Sequence, residues 1–216
     1  MESSSFCDNY IDISPLLHAK SAVFPGDTTF THTVNMSLRA GDNIDLSDIK
    51  TTLHIGAHAD APSHYHQNGE TIEHRSLSLY MGLSQVVEVD LPRGERIKLS
   101  DLKVEIKAPR ILFKTNSFPD PDLWNEDFNS LSPELIEFLH SKGVVLVGID
   151  TPSVDPAPDK ELPSHHALFK TNMAVLEGLI LSHVTPGFFD LIALPLKISS
   201  ADASPVRAIL LPRGNS

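Results

Sequence analysis

One string, His54-Ile-Gly-Ala-His58-Ala-Asp60-Ala-Pro62-Ser-His64, restricts how this chain can fold more than any other part of it. Its polar side chains stand an even number of residues apart, so a straight strand would set them all on one side. His54 and His58 would then lie roughly 13 Å apart at about 3.3 Å per residue, too far to share an ion. A helix aligns His54 with His58 but sends Asp60 to another face. The segment must therefore curl if these groups are to act together. Gly56 permits the backbone angles of a curl, and Pro62 stops the chain from continuing as regular structure. The small side chains of Ala57, Ala59 and Ala61 leave room between the polar ones.

Two neutral imidazoles and a carboxylate suit zinc or a similar divalent ion. His64 lies beyond the Pro62 bend, where it can face the same space without being a ligand. A lone histidine is ordinarily an exposed loop residue or a buried ring satisfied by backbone groups. Here sequence and spacing are jointly restrictive, and five of the 11 histidines (His54, His58, His64, His66, His74) crowd into 21 residues. A second group lies downstream. His165 and His166 follow Pro163-Ser164 at the expected start of a helix, and spacing alone does not choose between them. Glu177 interrupts the apolar run Val175-Leu176-Glu177-Gly178-Leu179, where a carboxylate needs a partner or a metal unless it lies on an exposed helix face.

The 216 residues are enough for one substantial domain, taken as 1–216. Apolar, β-branched runs at Gln85–Asp90, Arg110–Lys114, Val144–Asp150, Asp190–Leu196 and Val206–Leu211 read as strands. Between the second and third, Ser132 as N-cap, Pro133 at the first helical position and Gly143 as a stop frame a helix with Leu135, Ile136 and Leu139 on one face. A second helix begins near Ser164. The expectation is an α/β domain with a mixed or barrel-like sheet. A net charge of −11 argues against binding a phosphate backbone. No run of about 18 apolar residues occurs, so no membrane span is expected, and Met1–Ser5 lack the start of a signal peptide. The single cysteine, Cys7, cannot form an internal disulfide; this fits a reducing cytoplasm.

These residues resemble the cyclase-like metal-dependent hydrolases, and among them the bacterial-type kynurenine formamidases. The resemblance covers nearly the whole length. It runs through Asp12-Ile13-Ser14-Pro15-Leu16, Phe24-Pro25-Gly26-Asp27-Thr28 and the His54–His64 string. It continues through Gly148–Asp155, Leu162-Pro163-Ser164-His165, Glu177-Gly178-Leu179, Leu191–Leu196 and Asp202–Ala208. The resemblance implies a swivelling β/β/α domain in a homo-oligomer, dimer or tetramer, with two divalent ions per chain, zinc first, manganese and cobalt as alternatives. It implies that His54, His58 and Asp60 hold one ion and that Asp60 bridges to a second held by His165 and Glu177. His64 would be the acid/base residue, and Phe24 would line the substrate pocket where such formamidases carry Trp. The implied activity is hydrolysis of a small aromatic amide, N-formylkynurenine, to kynurenine and formate in tryptophan catabolism. Isatin or another amide on the same site is the nearest alternative. A non-catalytic metal-binding protein is the alternative of another class.

Overall fold

The computed structural model describes residues 9–213; Cys7 and Met1–Ser5 lie outside them. Nine strands form one sheet: β1 (Ile11–Asp12), β2 (His58–Asp60), β3 (Met81–Glu88), β4 (Arg110–Lys114), β5 (Leu146–Ile149), β6 (Ala174–Glu177), β7 (Gly187–Ile192), β8 (Ala203–Pro205) and β9 (Ile209–Pro212). Their spatial order is β1-β9-β7-β3-β4-β5-β6-β2-β8. The central run β3-β4-β5-β6 is parallel, and every pairing outside it is antiparallel. The sheet is mixed and curls into a half-barrel, as expected.

Two of the three parallel connections are helical crossovers; the third, from β3 to β4, runs through a loop carrying the short strand Arg96–Ile97 and a 3-10 turn at Leu99–Asp101. Helix α2 (Pro133–Ser141) joins β4 to β5 by way of the short strand Ser130–Leu131, and α3 (Pro163–Thr171) joins β5 to β6. The Ser132 hydroxyl accepts from the Leu135 N–H at 3.2 Å, and Pro133 occupies the first turn. Alternation along the central strands then sorts side chains between two cores. Ile111, Phe113, Val147, Ile149 and Val175 pack beneath Leu135, Ile136, Leu139 and Leu168 of the helices. Leu112, Leu146 and Leu176 point the other way, into the curl, against Ala57, Ala59, Leu191 and Leu210.

Four of the five strand readings shift: Gln85–Asp90 becomes Met81–Glu88, and Val144–Asp150 shortens to Leu146–Ile149. The reading Asp190–Leu196 becomes Gly187–Ile192, because the chain leaves the ladder ahead of Pro195, which has no N–H to donate. The reading Val206–Leu211 becomes Ile209–Pro212, since the Val206 N–H bonds to the Ala57 carbonyl (2.9 Å) and the Ala208 N–H to Ser14 Oγ (2.7 Å). A two-stranded ribbon, Thr31–Met36 with Leu46–Lys50, stands outside the sheet. It is exposed on both faces, so it leaves no hydrophobic alternation to read. Among the described residues, no helix is long and apolar enough to cross a membrane.

Candidate metal centre

The His54–His64 string does curl. Residues 53–57 form turns and bends, with Gly56 at φ +56°, before the chain straightens into β2. The curl brings the His54 and His58 ring centroids to 5.2 Å. Two details of the sequence reading change. Pro62 does end the strand, but it also opens a one-turn helix, α1 (Pro62–Tyr65), on which His64 rides. Ala57, Ala59 and Ala61 do not space the polar groups; they face the other side of the strand and are buried in the curl. Their smallness lets β2 seat close to that core, which holds His58 and Asp60 to the opposite face.

That face meets β6 and the start of α3. In the β2/β6 register Glu177 lies opposite His58 and Val175 opposite Asp60, so Glu177 shares a face with both. Glu177 is thus the end of a buried strand, not part of a helix face. His165 enters from the first turn of α3, while His166 is exposed on the next position. His66 stacks on Phe169 at 3.6 Å and His74 sits at the surface, both outside the cluster.

Four groups converge with at most 2% of their surface exposed: His58, Asp60, His165 and Glu177. Asp60 Oδ1 lies 2.9 Å from His54 Nδ1 and 3.5 Å from His58 Nε2, while Oδ2 lies 3.5 Å from His165 Nε2. Glu177 spans the same pair, Oε2 at 3.3 Å from His58 Nε2 and Oε1 at 3.6 Å from His165 Nε2. His58 Nε2, His165 Nε2 and both Asp60 oxygens are buried without a hydrogen-bond partner. Orphaned polar atoms of this kind are expensive in a folded protein. Here they point at one another as a nitrogen-and-oxygen donor set of the sort that takes a divalent ion. His54, Asp60 and His64 form one group close enough to hold a metal, and His58, Asp60 and Glu177 form another. The first places His64 within ligand reach as well as at the cavity wall.

The outer contacts fix the ring orientations. His58 Nδ1 lies 2.8 Å from the Gly56 carbonyl oxygen. His165 Nδ1 lies 2.8 Å from Asp155 Oδ2, and Asp155 also accepts from the Ser164 and His165 backbone N–H groups. Asp155 therefore caps α3 and aims its histidine with one carboxylate, the usual arrangement behind a ligating imidazole. The Val154 N–H donates to Glu177 Oε1 at 2.7 Å. On the open side Asp202 Oδ2 lies 3.0 Å from His54 Nε2 and 3.4 Å from His64 Nδ1, with the His54 and His64 rings 4.1 Å apart. Nothing in the local sequence around Asp155 or Asp202 marks either as part of the site.

Charge follows from this packing. Burial works against a charged His54, but Asp60 and Asp202 outweigh it and push its pKa up to about 9. Burial likewise opposes charge on His165, yet Asp155, Asp60 and Glu177 carry it to about 10. Burial would raise Asp60; the three surrounding imidazoles hold it well below the usual carboxylate range. An ion binding here must displace these protons. The cluster opens into a cavity of about 360 Å³ whose walls include Phe24, Pro152 and Leu162, a volume suited to a small ligand.

Comparison with known proteins gives a consistent picture. The Cyclase family model matches residues 11–156. The kynurenine formamidase of Bordetella petrii is 43% identical over 205 residues, 94% of this chain and 98% of that protein. The kynurenine formamidase of Bacillus thuringiensis is 37% identical over 204 residues, 94% and 97% of the two chains. Among solved structures, a potential metal-dependent hydrolase with cyclase activity superposes with a TM-score of 0.81 at 25% identity, covering 95% of this chain and 98% of that one. Isatin hydrolase A from Labrenzia aggregata superposes with a TM-score of 0.77 at 21% identity, over 94% and 93%. That last likeness is one of fold.

Proposed function

The chain belongs to the Cyclase family of metal-dependent hydrolases, and from that premise we propose that it hydrolyses the formyl amide of N-formylkynurenine, releasing kynurenine and formate. Identity to kynurenine formamidases at matching length supports the reaction. The observation that carries the reading is the set of partnerless donors on His58, Asp60 and His165, buried beside Glu177 at the floor of a cavity with an aromatic wall.

In this reading His54, His58 and Asp60 would hold one divalent ion and Asp60, His165 and Glu177 a second. The division of the Asp60 oxygens, Oδ1 toward His54 and His58 and Oδ2 toward His165, supports a bridging role. When bound, such ions supply a nucleophile from water at neutral pH and polarise an amide carbonyl. The protein's own groups do the rest. Phe24 offers a face for the aniline ring. His64 delivers the proton: its Nδ1 lies beside Asp202, which leaves Nε2 to protonate the departing nitrogen as the C–N bond breaks. Without that proton an anilide anion would have to leave. Zinc is the first ion to test, then manganese and cobalt. A homodimer or tetramer in the cytoplasm, serving tryptophan breakdown, completes the proposal.

The test is a hydrolysis panel of N-formylkynurenine, N-formylaniline and isatin on protein of measured metal content. Preference for the two formamides is expected. Turnover of isatin alone would replace this substrate with a lactam, and no turnover of any at full metal loading would overturn amide hydrolysis.

A further inference from the structure

Phe24 stands between two cavities. On one side is the space above the histidine cluster; on the other is a smaller cavity of about 140 Å³ shared with Pro25, Trp124, Glu126, Ala157 and Pro158. Phe24 is 39% exposed and sits just before a turn, so it has little of its own to hold its ring. Trp124 supplies the hold. Its ring meets Phe24 edge-on at 5.0 Å and is itself backed by Phe118 and by the buried Phe128, each at 6.0 Å. The two loops that carry these rings are tied together by the Ala22 N–H donating to the Pro121 carbonyl (2.9 Å) and by His18 beside Asp122 (3.1 Å).

We infer that Trp124 is a specificity-determining residue. It fixes the Phe24 ring as the wall on which the aryl group of an aromatic amide lies, and so sets the preference for aryl over alkyl amides. The inference rests on the amide-hydrolase reading of the neighbouring site. Without the indole, the small cavity enlarges and Phe24 can swing into it, which removes the wall from the reaction space. The Trp124 N–H is buried with no hydrogen-bond partner, so it is the ring and not the donor that the arrangement uses.

Two measurements test this. Trp124→Ala should lower the ratio of kcat/KM for N-formylaniline over N-methylformamide roughly two- to tenfold, the fold-change carried by one aromatic pair. The loss should enter through KM, and Trp124→Phe should restore most of it. An unchanged ratio, or an equal fall in kcat for both substrates, overturns the inference. Trp124→Leu and Trp124→Phe, checked by circular dichroism, keep the test intact if the alanine variant does not fold. The second measurement needs no turnover. Trp124 is the only tryptophan in the chain, so titrating 2-aminoacetophenone into metal-free protein should quench its emission, and Phe24→Ala should weaken that binding. Quenching that needs Phe24, in a protein that hydrolyses no aryl formamide, would keep the wall and reject the amide-hydrolase reading. Unaltered emission at saturating ligand would remove Trp124 from the wall.

Discussion

The histidine cluster has two halves held by different means. In the inner half, His58, His165 and Glu177 are locked by backbone groups and by the carboxylate of Asp155, and Asp60 is enclosed among them. In the outer half, His54 and His64 lean on each other and on Asp202, whose side chain is 49% exposed. A fully enclosed donor set loses little entropy when an ion arrives, because nothing has to be ordered. A histidine at the rim can exchange its proton with water and meet a substrate. In the proposed reading the contrast divides the labour: the enclosed groups, joined by His54 from the rim, would hold the ions, and His64 would move the proton.

Substitutions can break that division, from the largest expected effect to the smallest. Asp60→Asn, at the centre of the inner half, should remove both ions and cost kcat/KM at least about 10⁴-fold, several kcal/mol at each ion. Elemental analysis should find less metal than in His165→Ala, which disturbs one ion; wild-type metal content in Asp60→Asn would break the bridging assignment. His64→Ala, in the outer half, should lower kcat about 10³-fold, within the usual worth of a positioned acid, while metal content holds. Loss of an ion with His64 would instead make it a ligand, as its grouping with His54 and Asp60 permits. Asp155→Asn should weaken metal binding roughly 10- to 100-fold, the usual cost of losing the partner behind a ligating histidine, read by competition with a chromogenic chelator.

The smallest effect is on the stability of metal-stripped protein. His54 and His165 have folded pKa values of about 9 and about 10, above the ordinary 6.5. The folded state therefore binds protons more tightly than the unfolded chain. Their contribution to stability is complete below pH 6.5 and is lost as pH rises toward 9–10. Tm should fall by roughly a few degrees over that interval, and saturating zinc should abolish the fall, since bound imidazoles carry no proton to lose. A Tm that rises with pH in stripped protein would contradict the carboxylate-dominated balance.

Much of this was readable in the sequence where the cause is local. The need for a curl at Gly56, the capped helix from Ser132 and the central strand Arg110–Lys114 follow from backbone freedom, capping and alternation. What escaped is what the fold brings from afar. Asp155 caps α3 from eight residues before its first helical position, so no capping pattern marks it. Asp202 reaches the site because β8 pairs with β2, with Ala203 opposite Asp60, and nothing in its own neighbourhood announces that. The three alanines were misread for the same reason: their spacing was clear, but which face they served depended on the core behind β2. The choice of His165 over His166 came from resemblance, and burial of His165 beside Asp155 gives its physical reason.

The approach of Gly56 to Gly178 has a consequence in time. A side chain on Gly178, at φ +65°, would run into the Gly56 carbonyl, the same oxygen that faces His58 Nδ1. Over a hundred residues separate these two glycines along the chain, yet their contact joins the strand end carrying Glu177 to the curl carrying His54 and His58. During synthesis the donor set stays incomplete until β6 has emerged and closed against β2. In the proposed two-ion reading, an ion arriving earlier would meet only the His54, His58 and Asp60 part of the donor set, and full binding would act on the native state by mass action.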